Sequence, residues 1–166
     1  MLRGIPRKEW PQSLHWNWAR KASPLHNLLG NPLSGVRLFG IEVGGEWQGL
    51  LLAECTGHRS RADAPSKEIV YIEYVETAPW NWPLPRIDQE ARHRALGPQL
   101  FEMAIRWSMQ LGFKGRISLH SLPQAEEFYR DHCQMTDLGL DPNYDELRYF
   151  ELTEPNAKKY LSRRKP

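Results

Sequence analysis

The residues with the most chemical potential form the run Arg92-His-Arg-Ala-Leu-Gly97. A glycine-containing turn that opens a helix exposes backbone N–H groups beside the positive end of the helix dipole. Such a turn can hold a pyrophosphate. Arg92 and Arg94 add positive charge at the same place. The run is not a Walker loop, because Gly-Lys-Ser/Thr is absent. It is not a dinucleotide fingerprint either, because it carries a single glycine. A second run, Ser121-Leu-Pro-Gln-Ala-Glu-Glu-Phe-Tyr129, puts a strand end, a helix start and a tyrosine in sequence. The plainer reading of Tyr129 is a place in an apolar stripe with Ala125 and Phe128. Cys55 and Cys133 read as structural thiols, with no base evident beside Cys133. His93, His120 and His132 are scattered without metal-ligand spacing, so no metal is expected.

These residues need elements to position them. Gln12 to roughly Leu29 has helical spacing through Leu14, Trp18 and Ala22. Asn31-Pro32 and Ser34-Gly35 mark a turn. Val36–Val43 and Trp47–Cys55 read as strands, and Gly44-Gly45 between them signals a hairpin. Thr56–Lys67 is polar and reads as a loop. Glu68–Thr77 is the clearest strand, rich in Ile, Val and Tyr. Pro79-Trp-Asn-Trp-Pro-Leu-Pro85 holds three prolines and cannot be regular structure. A helix follows from Leu96 or Gly97, with an apolar stripe of Leu100, Phe101, Ala104, Ile105, Ser108 and Leu111. Gly112 is its natural stop. Then come a strand over Arg116–His120 and a helix from Pro123 that carries Ala125, Phe128, Tyr129 and His132 on one face. A strand over Met135–Leu138, a turn at Asp141-Pro-Asn143 and a last strand over Glu146–Thr153 complete the order. A mostly antiparallel sheet flanked by helices, with one strand–helix–strand crossover, fits this order.

Together the two runs resemble motifs A and B of the GNAT acyltransferase superfamily. Motif A there is a strand, then Gln/Arg-x-x-Gly-x-Gly/Ala, then a long helix. Arg92, Ala95 and Gly97 stand at the marked positions, and Phe101–Gly112 is similar to the helix. Motif B is a strand and a helix with Ala-x-x-Phe-Tyr, here Ala125-Glu-Glu-Phe-Tyr129. The order of elements is similar throughout, but the specific motifs cover only 92–97 and 121–129. The sequence departs from the pattern at Ala95, at Pro98, which has no N–H, at Cys133-Gln134, where motif B ends in glycine, and by the insertion Trp80–Ala91.

The resemblance implies an α+β, GNAT-like fold over one domain, residues 1–166. A Trp- and Pro-rich helical part (1–35) would precede the core (36–153) and a basic tail (154–166). It implies acetyl-CoA as co-substrate and transfer of an acetyl group to an amine in a ternary complex. The pyrophosphate would lie on the amides of Arg92, His93, Arg94, Ala95, Leu96 and Gly97, with Ser121 and Ala125 nearby. The pantetheine arm would pair with the strand near Val75 and Thr77. Tyr129 would protonate the departing thiolate, and a strand N–H would hold the oxyanion. A base belongs on the same strand, which offers Glu73 and Glu76. They point to opposite faces unless a bulge lies between them. Trp80, Asn81 and His120 would line the acceptor site; His120 is also a further base candidate beside its plainer reading as a hydrogen-bonded structural histidine, and Asn81 could instead cap a turn. The departures leave an alternative, a non-catalytic binding or interaction module on the same fold. The acceptor would be a small-molecule or peptide amine, and a homodimer is compatible with the resemblance.

Composition excludes other classes. The chain has 166 residues, enough for a substantial core, and its 7 Trp, 6 Tyr and 5 Phe exclude disorder as a whole. Two cysteines exclude a disulfide scaffold. The run Gly49–Ala53 is far too short to cross a membrane, and no apolar leader segment stands at the start. The thiols and the missing leader favour the cytoplasm. A net charge of +2 argues against nucleic acid. The basic tail, Lys158 to Lys165, reads as a frayed, solvated end.

Overall fold

The computed structural model describes residues 17–23, 34–63, 65–82 and 90–164. The elements are α1 (Trp18–Ala22), β1 (Val36–Val43), β2 (Glu46–Glu54), β3 (Val70–Thr77), α2 (Leu96–Gln110), β4 (Ile117–Ser121), β5 (Thr136–Asp141), β6 (Leu147–Leu152) and α3 (Glu154–Ser162). The rest of the expected N-terminal helix, the Asn31-Pro32 turn and Pro83–Pro85 lie outside the described residues. One sheet orders the strands β1-β2-β3-β4-β6-β5, and every neighbouring pair is antiparallel except β3 with β4.

Local chemistry explains the joints. Gly44 (φ 61°) and Gly45 (φ 82°) supply the two left-handed residues that a two-residue hairpin turn needs between Val43 and Glu46. Helix α2 buries Leu96, Leu100, Phe101, Ala104, Ile105, Trp107 and Ser108 along one stripe. It ends at Gly112, where Phe113 N donates to Ser108 O (2.8 Å) and Gly112 N to Met109 O (3.0 Å), the paired bonds of a Schellman stop.

The core lies between the sheet and α2. Leu51, Ala53, Val70, Ile72, Ile117, Leu119, Phe150 and Leu152 meet Leu100, Phe101, Ala104 and Ile105 there. Strand alternation sends Leu50, Leu52, Tyr71, His120, Tyr149 and Glu151 to the opposite face, where Trp18 of α1 covers Leu50 and Leu52. The Thr56–Lys67 segment is tied down on that face. Buried Glu151 accepts from Ser60 Oγ (2.7 Å), Arg61 N (2.6 Å) and Ala62 N (3.0 Å).

Two expectations are corrected. The tail is not frayed: Glu154–Ser162 is helical, and Ala157 and Tyr160 join the core. Tyr160 packs its ring 5.3 Å from Phe101 and donates to Pro98 O (3.1 Å). The apolar positions in α3 stand among basic residues, which hides them in the composition. The helix expected from Pro123 is also broken. A single 3-10 turn (Pro123–Ala125) is followed by a widened π turn (Phe128–His132), in which Cys133 N donates to Phe128 O (3.0 Å). The extra residue per turn carries Tyr129 and Cys133 into the core and leaves His132 exposed, its ring stacked on Phe128 at 5.9 Å.

Candidate active site

Strands β3 and β4 part company early. They pair only at Val70↔Ile117 and Tyr71↔Ser118, after which β4 continues on β6 alone. The β4-facing edge of β3 from Ile72 to Thr77 therefore meets no strand among the described residues. An open row of backbone donors and acceptors inside a sheet is a place for an extended polar chain. Val75 and Thr77 sit on this stretch, with their other edge paired to Leu51 and Gly49. Ser121, at the end of β4, is buried and donates to Leu122 O (2.9 Å), and Ala125 packs on the core.

Helix α2 brings its first turn to the same end of β3. Gly49 lies directly opposite Thr77, and Leu100 packs where a Cβ at Gly49 would stand, at 2.9 Å. Ala95 precedes the helix in a left-handed conformation (φ 58°, ψ 21°), and its methyl side chain makes no capping bond at the helix start. The amides of Leu96 and Gly97 fall in the first turn, where no intrahelical partner exists. The alanine thus holds a backbone shape that glycine adopts without strain, at a cost of roughly 1–2 kcal/mol. Ala95→Gly is expected to raise stability by about 0.5–1 kcal/mol, net of the greater freedom of glycine in the unfolded chain. Chemical denaturation of both proteins measures it.

A bracket that sequence reasoning missed holds this turn in place. Gln48 sits at the irregularity in the β1–β2 register and is 2% exposed. Its backbone carbonyl accepts from Ala78 N (2.9 Å) and Asn81 Nδ2 (3.2 Å). Its side-chain oxygen accepts from Trp80 Nε1 (2.8 Å) and Asn81 Nδ2 (2.9 Å). Asn81 Oδ1 then accepts from His93 N (3.0 Å), and Trp80 O from Arg92 N (3.2 Å). The Asn81 side chain, assigned to the acceptor pocket from sequence, is buried within this bracket. Arg92 projects outward, over the Trp80 ring (5.7 Å), with its side chain 63% exposed.

The bulge raised as an alternative is present. Ala53 pairs with Ile72 and Leu52 with Tyr74, so Glu73 is the additional residue in β3. Val75 returns to the core side, and Tyr74 and Glu76 face away from α2. A cleft of about 290 Å³ on that side is lined by Lys21, Val36, Leu52, Glu54, Glu73 and Tyr74. Both glutamates thus lie on the face away from α2, whereas an unbroken strand would separate them. Burial, then the Glu54 carboxylate, pushes Glu73 above the usual carboxylate range, with His58 opposing. Glu76 pairs through Oε1 with Lys21 Nζ.

Tyr129 is buried, its ring 5.3 Å from Phe128, 6.1 Å from Phe150 and 6.3 Å from Phe101. Burial raises its pKa well above the ordinary phenol value, so the hydroxyl keeps its proton. Cys133, fully buried beside it, has its thiol pKa raised by burial too. His120 occupies a separate buried chain. Tyr71 Oη lies 2.9 Å from its Nδ1, and Asp141 Oδ2 lies 3.2 Å from its Nε2. A neutral ring protonated on Nε2 satisfies both partners. Burial lowers the His120 pKa, against the pull of Asp141. Arg61, the Asn143 amide and His120 together bring Asp141 down to about 2. The imidazole also stacks on Tyr144 (3.9 Å, 9°).

No family model matches the sequence, and no curated protein matches it. Solved structures do match. An N-acetyltransferase of Bacillus subtilis, YlbP, in complex with coenzyme A superposes with TM-score 0.51 at 14% identity, over 81% of this chain and 78% of its own. A histone acetyltransferase HPA2-related acetyltransferase of Corynebacterium glutamicum gives 0.53 at 17% identity, over 91% and 80%. A point-mutant form of the AtaT toxin, bound to the C-terminus of the antitoxin AtaR and acetyl-CoA, gives 0.54 at 11% identity, over 90% and 82%. The chain has the fold of the GNAT acetyltransferases.

Proposed function

We propose that the protein is an acetyl-CoA-dependent N-acetyltransferase that acts on an amine. The observation that carries this reading is the open edge of β3 beneath the start of α2. A pyrophosphate suits the amides from about Arg92 to Gly97, where Arg92 and Arg94 add charge. Pro98 withholds one donor, but the left-handed Ala95 keeps the turn's shape. An extended pantetheine arm suits the unpaired edge near Val75 and Thr77. The face of β3 turned away from α2 then receives the amine.

An ammonium must lose its proton before it attacks a thioester. Glu73, bulged into the cleft with a raised pKa, is the better placed base, directly or through a water. A β3 amide stabilises the oxyanion. Tyr129, held protonated by burial, returns a proton to the departing thiolate.

Thermal melting with and without acetyl-CoA tests the reading. At about 100 times its dissociation constant the ligand adds roughly 2.7 kcal/mol, which raises the melting temperature of a domain this size by roughly 5–10 °C. The shift is expected to shrink sharply in the Arg92→Ala/Arg94→Ala double variant. Absence of any shift with the wild-type protein overturns the proposal.

A further inference from the structure

Lys21 lines the cleft on the face of β3 turned away from α2 and brings a primary ammonium there. Lys21 reaches from α1 so that its Nζ lies against Glu76 Oε1, 5.5 Å from the Trp18 ring centre and 5.7 Å from the Tyr74 ring centre. The two rings meet edge to face, 6.4 Å apart at 83°. Two aromatic faces and a carboxylate make a site for an alkylammonium ion. The setting is partly dry: the Lys21 side chain is 25% exposed and that of Glu76 14%. Glu76 Oε2 is buried and has no hydrogen-bond partner among the described residues. One carboxylate oxygen thus holds the ammonium, and the other has an unused lone pair.

We infer that Lys21 is an acceptor of the protein's own acetyl transfer. The inference rests on the acetyl-CoA reading above and names a modification site within it. The ammonium of Lys21 gives a proton to Glu76, which passes it to solvent. The freed amine attacks the thioester carbonyl carbon, a C–N bond forms and the C–S bond breaks. Coenzyme A leaves as a thiolate, and the second proton that the attacking nitrogen loses on becoming an amide converts it to the thiol. The products are N-ε-acetyl-Lys21 and free coenzyme A, and the chain loses one positive charge. The same cradle makes a lysine-like primary alkylamine the class of external acceptor that competes with Lys21.

Exposure separates this from spontaneous chemistry. Uncatalysed acetylation follows access to solvent, and the Lys114 and Lys158 side chains are 63% and 65% exposed. The full chain is incubated with trideuteroacetyl-CoA, and each lysine peptide is quantified over time by mass spectrometry. Lys21 is expected to acquire label at least about tenfold faster than Lys114 and Lys158, at a rate independent of protein concentration. The excess is expected to vanish in Glu76→Gln, with the slow labelling of Lys114 and Lys158 unchanged. Unlabelled acetyl found on Lys21 as isolated, and missing from Glu76→Gln, counts as the same result. If Glu76→Gln does not fold, the ratio of Lys21 to Lys158 in the wild-type chain decides. Labelling of Lys21 no faster than Lys158, with the acetyl-CoA melting shift intact, overturns the Lys21 assignment alone. Loss of the melting shift as well removes both readings.

Discussion

Tyr129→Phe is expected to slow acetyl transfer by about 10²-fold or more while leaving acetyl-CoA affinity within about twofold. General acid assistance contributes roughly 10²–10⁴-fold, and the substitution removes only the hydroxyl. The ring stays where it is, because Phe101, Phe128 and Phe150 hold it by packing. Burial raises the phenol pKa, so at neutral pH the group is a donor and never a phenolate. The protein offers this hydroxyl no hydrogen bond among the described residues, so its loss leaves no stranded partner and stability changes little. Single-turnover transfer to a primary amine, with calorimetric titration of acetyl-CoA in parallel, separates the two effects. Equal turnover in both proteins removes Tyr129 from the mechanism.

The parts of this arrangement legible in the sequence are those set by local chemistry. Gly44-Gly45 specifies its hairpin, Gly112 its helix stop, and the Leu100–Ser108 stripe the buried face of α2. One glycine and two arginines mark the turn at Arg92–Gly97, and it does open a helix. What was not legible depends on residues distant in the chain. The bracket joins Gln48 to Asn81 and Asn81 to His93, and nothing in a lone glutamine announces it. His120 takes its partners from Tyr71 and Asp141, 49 and 21 residues away. The bulge at Glu73 follows from how β2 and β3 align, since the Ile-Val-Tyr run fits a straight strand equally well. The π turn at Phe128 likewise has no sequence signature, yet it decides that Tyr129 and not His132 enters the core.

The bulge leads to the second large effect. Glu73→Gln is expected to lower kcat/KM at pH 7 by about 10²-fold or more and, at the same pH, to raise stability. A base works only when ionised, so activity falls as pH drops through the Glu73 pKa. Burial and the Glu54 carboxylate raise that pKa, so this limb lies above the range of an ordinary glutamate. The sign for stability is opposite. A carboxyl whose pKa is higher folded than unfolded binds its proton more tightly in the folded state. Its ionised form at pH 7 therefore opposes folding, and the opposition fades as pH falls through the raised folded value towards the unfolded one. Glutamine keeps the shape and removes the charge, so melting temperature rises as activity is lost. A purely structural glutamate would not show both changes. Glu54→Gln supplies the second arm: it removes the neighbouring charge, lowers the Glu73 pKa and moves the acid limb of the pH profile to lower pH. Both arms can be read from kcat/KM between about pH 5 and 9 with a primary amine, beside melting curves at the same pH values. If Glu73→Gln keeps the wild-type profile, Glu73 is not the base, and the next carboxylate to test on β3 is Glu76, whose Oε1 already holds Lys21.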